Sequence, residues 1–556
     1  MFVKKSWNTK EKKLHYQYHI AKSYREPGTG KNKHNYILNI SQLPMHVIDA
    51  IDQSLKQGQT ITGPEVRVEA GDNVRGAGLM AIHRMWQQEK MNRVLKGLGA
   101  AEKKSVELMV VQRILEPGSK LSLQETMRDT IFKEVWSDNR FDEDELYAAM
   151  DTLHDNFYTV QQALWSNHDS EAVMVLYDIT STYFEGTEAE GAEYGHSRDK
   201  RWDCYQIVIG LVCTGEGLPL AIEVWPGNTT DKTTVAERIE VLQEQFGITK
   251  AVFVGDAGMY TEANIEEIIA AGFDYILKPE WHTQKKQLEQ QLPLQQELFD
   301  RGMVEWVEDG VRYVGYYSEG RRERALRQRD EGMTEAEDAL RQLSRSAARG
   351  KYYSWTRLRE KVNDLLEYCG VKGLYNVRIK PFDTQTDPEE KARLELFFER
   401  DQEAIVLQER IEGMYIIETS LDREEYSPEQ IEKAYKNLQL VERAFRNIKS
   451  FLSIRPIFHY RRRRIRAHVL ICFLAYYLLK KIELECRASG ITRECATMLR
   501  DWDKLQLSYH TVTAGEYSSS EWQWSLGKTG KGIKAQIEKL GWWRSIEQHR
   551  RSLMKS

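Results

Sequence analysis

The 556-residue chain has six cysteines (Cys204, Cys213, Cys369, Cys472, Cys486, Cys495) and no C-x-x-C pair among them. That scatter excludes a disulfide framework or a zinc ribbon and leaves reduced, partly buried thiols. No apolar run reaches the roughly 18 to 20 residues that span a bilayer; the longest, Val469 to Leu479, is short and preceded by arginines. Met1 leads into Lys4, Lys5, Lys10, Lys12 and Lys13 instead of an apolar segment, which excludes a secretory signal and predicts a cytoplasmic protein with no membrane association.

What is present is a soluble composition, 41% hydrophobic and 29% charged, in a chain long enough for two to four domains. The net charge of −5 conceals two basic segments. Residues 1–36 hold nine Lys or Arg against Glu11 and Glu26. Residues 441–468 hold nine more against Glu442 alone. Basic segments in a mildly acidic chain point to a local polyanion contact, with a solvated charged face as the alternative.

The hydrophobic pattern changes along the chain. Two alternating runs, His15 to Ala21 and His34 to Ile40, flank Pro27-Gly28-Thr29-Gly30 and predict a hairpin. From Gly76 the period becomes helical, with Asp142 as an N-cap. Val173 to Tyr177 reads as a buried strand ending at Asp178. Tyr205 to Cys213 and Leu218 to Trp225 read as a hairpin. Helix, strand (Ala251 to Val254, ending at Gly255-Asp256), helix and strand (Tyr275 to Leu277) follow. Residues 286–412 interrupt this order with a hairpin at Asp309-Gly310, a charged helical stretch, and strands at 374–380, 394–400 and 404–408. A strand at 414–417 and helices over 428–450 and 465–482 resume it. Residues 486–556 give no clear reading.

Asp178 and Asp256 each end an apolar strand, the edge of an open sheet where sites gather. Tyr435, Glu442 and Lys449 are spaced seven apart, which on one continuous helix places them on one face. Arg446, four residues after Glu442, also fits a surface ion pair.

The stretches Leu176-Tyr177-Asp178-Ile179-Thr180 and Val254-Gly255-Asp256-Ala257-Gly258 resemble the first two acidic motifs of bacterial insertion-sequence transposases with a DDE site. Tyr194 to Arg201 and Pro226-Gly227-Asn228-Thr229-Thr230-Asp231 resemble the segment between those motifs. Tyr435, Glu442 and Lys449 match the Y-x2-R-x3-E-x6-K signature of one branch, with Leu438 in place of its Arg.

The resemblance implies an α/β, ribonuclease-H-like mixed sheet interrupted by a β-rich insertion, with amino-terminal β and helical modules. The implied segments are a basic β module for DNA binding (1–75), a helical domain (76–168), the core (169–285 and 413–485) and the insertion (286–412). It implies catalysis by Asp178, Asp256 and Glu442 holding Mg2+, with Mn2+ able to substitute. Tyr435, Lys449, Arg443, Arg446, Arg461, Arg462, Arg463 and Arg464 would contact DNA phosphates. The partners implied are double-stranded DNA, as inverted-repeat ends and target, and a second copy in a synaptic homodimer, nucleoid-associated when bound. Two other readings stay open: a sequence-specific DNA-binding protein without catalysis, and a ribonuclease-H-like nuclease without strand transfer. A glycosidase would share only the paired carboxylates.

Overall fold

The computed structural model describes all residues except 11–12, 26–31, 58–65, 127–129, 131–141, 168–172, 187, 196, 200, 291–301, 351–352, 383–390, 515–516, 525–527 and 553–556. The chain forms two compact units. The first comprises Met1–Ser170, Ile179–Thr229 and Leu440–Ser556; the second comprises Glu171–Asp178 and Thr230–Gln439.

In the first unit, β1 (Phe2–Lys10), β2 (Lys13–Arg25) and β3 (Asn32–Asn39) form an antiparallel sheet in that order. The Pro27 to Gly30 turn lies outside the described residues. Leu38, Ile40, Val47, Ile48 and Ile51 build a small core between the sheet and α1 (Met45–Gln57). Trp7 and Tyr16 are cross-strand partners, yet 67% and 50% exposed. The next strand, β4 (Val66–Arg75), precedes a helical stretch that includes α2 (Ala77–Gln88), α3 (Ala100–Leu115), α4 (Glu143–Asp155) and α5 (Phe157–Trp165). Asp142 caps α4 by accepting from the Asp144 amide at 3.4 Å. Every residue of α3 from Ser105 to Leu115 is buried, so this helix is a core element and not an amphipathic surface one.

The mixed sheet begins with β5 (Val173–Tyr183), which passes from the second unit into the first after Asp178. Asp178 therefore lies inside the strand, not at its end as its apolar lead-in suggests. Thr180, Ser181 and Thr182, all buried, carry the strand onward, since β-branched threonines fit a pleated surface. In the first unit β5 borders β6 (Gln206–Thr214), which pairs antiparallel with β7 (Pro219–Pro226). In the second unit, α6 (Thr234–Glu244) leads to β8 (Ala251–Gly255), and α7 (Glu262–Ala270) leads to β9 (Asp274–Leu277). There β5 pairs parallel with β8, and β8 with β9. The strand order β7-β6-β5-β8-β9 is ribonuclease-H-like.

After α8 (Trp281–Gln290), β10 (Met303–Glu308) and β11 (Val311–Tyr317) form the expected hairpin. Asp309 and Gly310 take φ of 51° and 82°, the positive values a type I′ turn requires. The inserted chain then runs through α9 (Glu319–Arg349), α10 (Trp355–Tyr368), β12 (Tyr375–Pro381), β13 (Leu394–Arg400) and α11 (Gln402–Ile411). The strand expected over 404–408 is part of this last helix. Asp401 caps it, accepting from the Ala404 amide at 3.0 Å, and Ile405 and Ile411 are buried on it. Met333, Leu340, Val362, Leu366, Leu374 and Leu396 form the insertion's own core. The following strand, β14 (Met414–Thr419), pairs with both β11 and β9, so the β10–β11 hairpin extends the main sheet.

The helix expected over 428–450 is divided. It comprises α12 (Pro428–Lys436), started by a Ser427–Gln430 capping box with Pro428 in the first turn, and α13 (Leu438–Arg446). Asn437, a weak helix former, separates them. A π turn, Asn447–Phe451, follows α13. Next come α14 (Arg462–Ala488), longer than the pattern predicts, α15 (Cys495–Asp503), β15 (Gln506–Ala514), β16 (Tyr517–Trp524), α16 (Lys528–Lys539) and α17 (Trp543–Ser552). β15 pairs with β4, giving a sheet in the order β16-β15-β4. The carboxy-terminal region without a sequence reading is thus tied to a strand near the amino terminus. Trp502 and Trp542 are buried beside it, their rings 6.1 Å apart.

Candidate catalytic site

The β5–β8 register positions the first two carboxylates. Val173 lies opposite Ala251 and Leu176 opposite Val254. The pairing ends there: Asp178 lies two residues further along β5, and Asp256 two residues beyond Val254, just past the last residue of β8. Asp256 is held by its own turn: its carboxylate accepts from the Gly258 amide at 3.0 Å. Both acids are half-buried. The residues beneath them are fully buried, including Tyr177 and Phe253, whose rings are 5.7 Å apart.

Three neighbours in the second unit received no role from the sequence. A Cβ on Gly258 would lie 2.9 Å from Asp231 Oδ2 and 3.2 Å from Asp256 Oδ1, so these two carboxylates flank one glycine. The Tyr177 phenol is pushed above its ordinary range, chiefly by burial, with Arg238 opposing and Asp178 and Asp231 adding to the rise. Asp231 ends the Pro226-to-Asp231 motif, and that acid was the available signal. The β8–β9 pairing ends at Gly255 opposite Leu277, and Asp256 and Lys278 are the next residues on the two chains. Burial lowers the Lys278 pKa and Arg321 adds to this, while Asp256 opposes them. Glu418, 3% exposed, accepts from the Tyr260 hydroxyl at 2.6 Å and the Tyr275 hydroxyl at 2.9 Å. It thereby anchors the chain just beyond Asp256.

Glu442 lies on α13 in the first unit and is exposed, whereas Val441, Ala444 and Phe445 of that helix are buried. Leu438 is 8% exposed, so the position where the signature has Arg is a buried apolar one. Tyr435, Glu442 and Lys449 do not lie on one continuous helical face. The break at Asn437 separates the first from the second, and the wider i→i+5 winding of the π turn shifts the third. Tyr435 lies on α12, its ring 6.5 Å from that of Tyr415. Lys449 lies in the π turn and donates to Asp199 Oδ1 at 2.9 Å.

The basic residues divide into two groups. Arg443, Arg446, Arg461 and Arg462 are exposed. Arg463 pairs with Asp151 at 3.2 Å and Asp155 at 3.0 Å, and Arg464 pairs with Asp151 at 3.3 Å and lies over the Tyr147 ring. Arg466 is committed internally, 2.7 Å from Glu223, which is buried and also accepts from the Tyr158 hydroxyl at 2.6 Å. The clustered arginines therefore offer solvent less charge than their number suggests.

Among the described residues, no three His, Cys, Asp or Glu side chains are grouped so as to hold a metal ion. As a donor set, Asp178, Asp256 and Glu442 are all carboxylates, the hard oxygen ligands a divalent cation of the magnesium type favours. Among the described residues no helix is long and apolar enough to cross a membrane.

Residues 170–478 match the family model described as Transposase DDE domain. Among solved structures, a piggyBac transposase synaptic complex with hairpin DNA is similar over 77% of this chain and 76% of that one, at 8% identity and a TM-score of 0.33. Comparison with curated protein sequences gives no match.

Proposed function

The chain belongs to the transposase DDE-domain family, and on that premise we propose that it cleaves DNA at inverted-repeat ends and joins the freed ends to target DNA. The observation that supports this reading is the parallel β5–β8 pairing, which sets Leu176 opposite Val254, two residues before Asp178 and Asp256 respectively. Two carboxylates brought together in one site are costly unless they share a cation or a proton. In this proposal Asp178, Asp256 and Glu442 hold Mg2+, or Mn2+ in its place. Such an ion, when bound, would supply an activated oxygen nucleophile and neutralise charge developing at phosphorus.

The protein's own groups do the positioning. Gly258 and the Glu418–Tyr260 hydrogen bond fix the Asp256 turn. Lys278 places a positive charge near that turn. Tyr435, Lys449, Arg443, Arg446, Arg461 and Arg462 contact the phosphate backbone, which sets register on the duplex without reading sequence. Arg463 and Arg464 contribute to the degree that their pairing with α4 is loosened. The β1–β2–β3 sheet, with Trp7 and Tyr16 exposed and the Lys5 ammonium 4.0 Å from the Tyr16 ring, offers a basic and aromatic surface for the terminal repeats. Two ends must be paired, so the working unit is a homodimer, cytoplasmic and associated with the nucleoid when on DNA.

The test is to incubate the protein and its Asp256→Asn variant with Mg2+ and duplex carrying the inverted repeats that flank its gene. Nicked and joined products from the wild type alone support the proposal. Nicks without joined product would leave a nuclease.

A further inference from the structure

Asp199, in the loop between β5 and β6, has two cations on one oxygen. Lys449 donates to Asp199 Oδ1 at 2.9 Å, and Arg455 ion-pairs with the same oxygen. The three side chains are 11%, 9% and 26% exposed for Lys449, Asp199 and Arg455. Asp199 Oδ2 is buried and has no hydrogen-bond partner among the described residues. The loop is fastened to β5, since the Arg198 amide donates to the Ser181 hydroxyl at 3.0 Å. The π turn that carries Lys449 is fastened at its far end. Arg113 donates to the Ser453 carbonyl at 3.2 Å, and Arg500 lies 3.8 Å from the Phe451 ring.

Two cations on one carboxylate leave a net positive charge in a partly desolvated place. That is unfavourable unless a further anion completes it. An ammonium has three N–H donors, and among the described residues Lys449 commits one, to Asp199. Arg455 keeps most of its guanidinium fork as well, with its plane near the Tyr183 ring at 5.7 Å. Arg198 is near enough to oppose protonation of Lys449, adding positive potential to the same place.

We propose that Lys449 and Arg455 together form a seat for one DNA phosphodiester, and that Asp199 is its positioning residue, holding the two cations side by side so that their remaining donors converge. Without the carboxylate the cations repel each other and separate. Asp199 thus strengthens binding of an anion although it is itself an anion. The inference rests on the transposase reading and adds Arg455 and Asp199 to it.

Binding to a duplex of random sequence, followed by fluorescence anisotropy over a range of salt, tests this. The slope of log K against log salt falls by about 0.9 for each phosphate that the protein ceases to neutralise. The Lys449→Gln, Arg455→Gln double variant is expected to lower the slope by about that amount, and each single variant by part of it. Asp199→Asn is expected to weaken binding about tenfold, the scale of one charge-assisted hydrogen bond, despite removing a negative charge. In a Lys449→Gln, Arg455→Gln background it is expected to do nothing further. Thermal melting identifies any variant that fails to fold, and Arg455→Gln, the most exposed of the three sites, then decides the matter. Tighter or unchanged binding by folded Asp199→Asn, or a slope that Arg455→Gln leaves untouched, overturns the inference alone. Absence of duplex binding by the wild type overturns the transposase reading and the inference with it.

Discussion

Asp178 and Asp256 each lie two residues past Leu176 and Val254, which the parallel β5–β8 pairing sets opposite each other. A one-residue slip of β5 would turn Asp178 to the opposite face of the sheet. Leu176, Tyr177, Phe253 and Val254, which lead into the two acids, are fully buried, so the core holds that pairing.

Substituting Lys278, close enough to Asp256 to feel its charge, is expected to slow DNA cleavage more than DNA binding. Lys278→Gln should lower the cleavage rate by about 10²-fold, the effect of deleting one preorganised charge or donor at a reacting phosphate. Single-turnover cleavage beside equilibrium binding checks this. Equal losses in both would make Lys278 an ordinary phosphate ligand.

The exposed and the paired arginines are expected to separate in salt dependence. Arg461→Gln with Arg462→Gln should reduce the slope of DNA binding by up to about 1.8, two phosphates at about 0.9 each. Arg463→Gln with Arg464→Gln should change it less and lower the melting temperature, because those side chains pair with Asp151 and Asp155. Identical slopes for the two double variants would contradict the division.

Arg466→Met is expected to destabilise the first unit by about 3–5 kcal/mol, because it removes the cation beside the buried Glu223 carboxylate. Combining it with Glu223→Leu should recover most of the loss. Denaturant unfolding of the two variants measures both effects, and a single variant as stable as the wild type would contradict the pairing.

Stability is also expected to depend on pH through His459. Burial first, then Lys120, Arg113 and Arg464, lower its pKa to about 3. The unfolded chain therefore takes up a proton below about pH 6.5 that the folded chain does not. The contribution is complete above that pH and declines as pH falls toward 3, at about 1.4 kcal/mol per pH unit. His459→Phe, which keeps the ring near Tyr147, should flatten the fall in stability between pH 6 and pH 4 by about that slope. An unchanged profile would show that His459 does not carry it.

The sequence makes the sheet legible where strands are uniformly apolar. β5, β6, β7, β8 and β9 all stand where their runs predict. It misleads where one residue type has two uses. The apolar lead-in to Asp178 looks like a strand end, but buried Thr180 and Thr182 continue the strand. Ile405 alternates well enough for a strand, but the Asp401 cap makes it helical. The seven-residue spacing of Tyr435, Glu442 and Lys449 assumes unbroken winding, which a π turn does not preserve. Lys278 and Arg455 carry no local signal, because register and a distant carboxylate give them their places. The same holds for residues 486–556, whose β15 finds its partner in β4, more than 400 residues away.

The proposed function requires Asp178 and Asp256 to act with Glu442 in cutting and joining DNA. Its most direct test compares wild type with Asp178→Asn, Asp256→Asn and Glu442→Gln in Mg2+-dependent cleavage and joining on the flanking repeats, beside equilibrium binding to the same duplex. The account predicts that each variant loses both reactions and binds nearly as well as the wild type. Near-normal cleavage by any one of the three would contradict its place in the site.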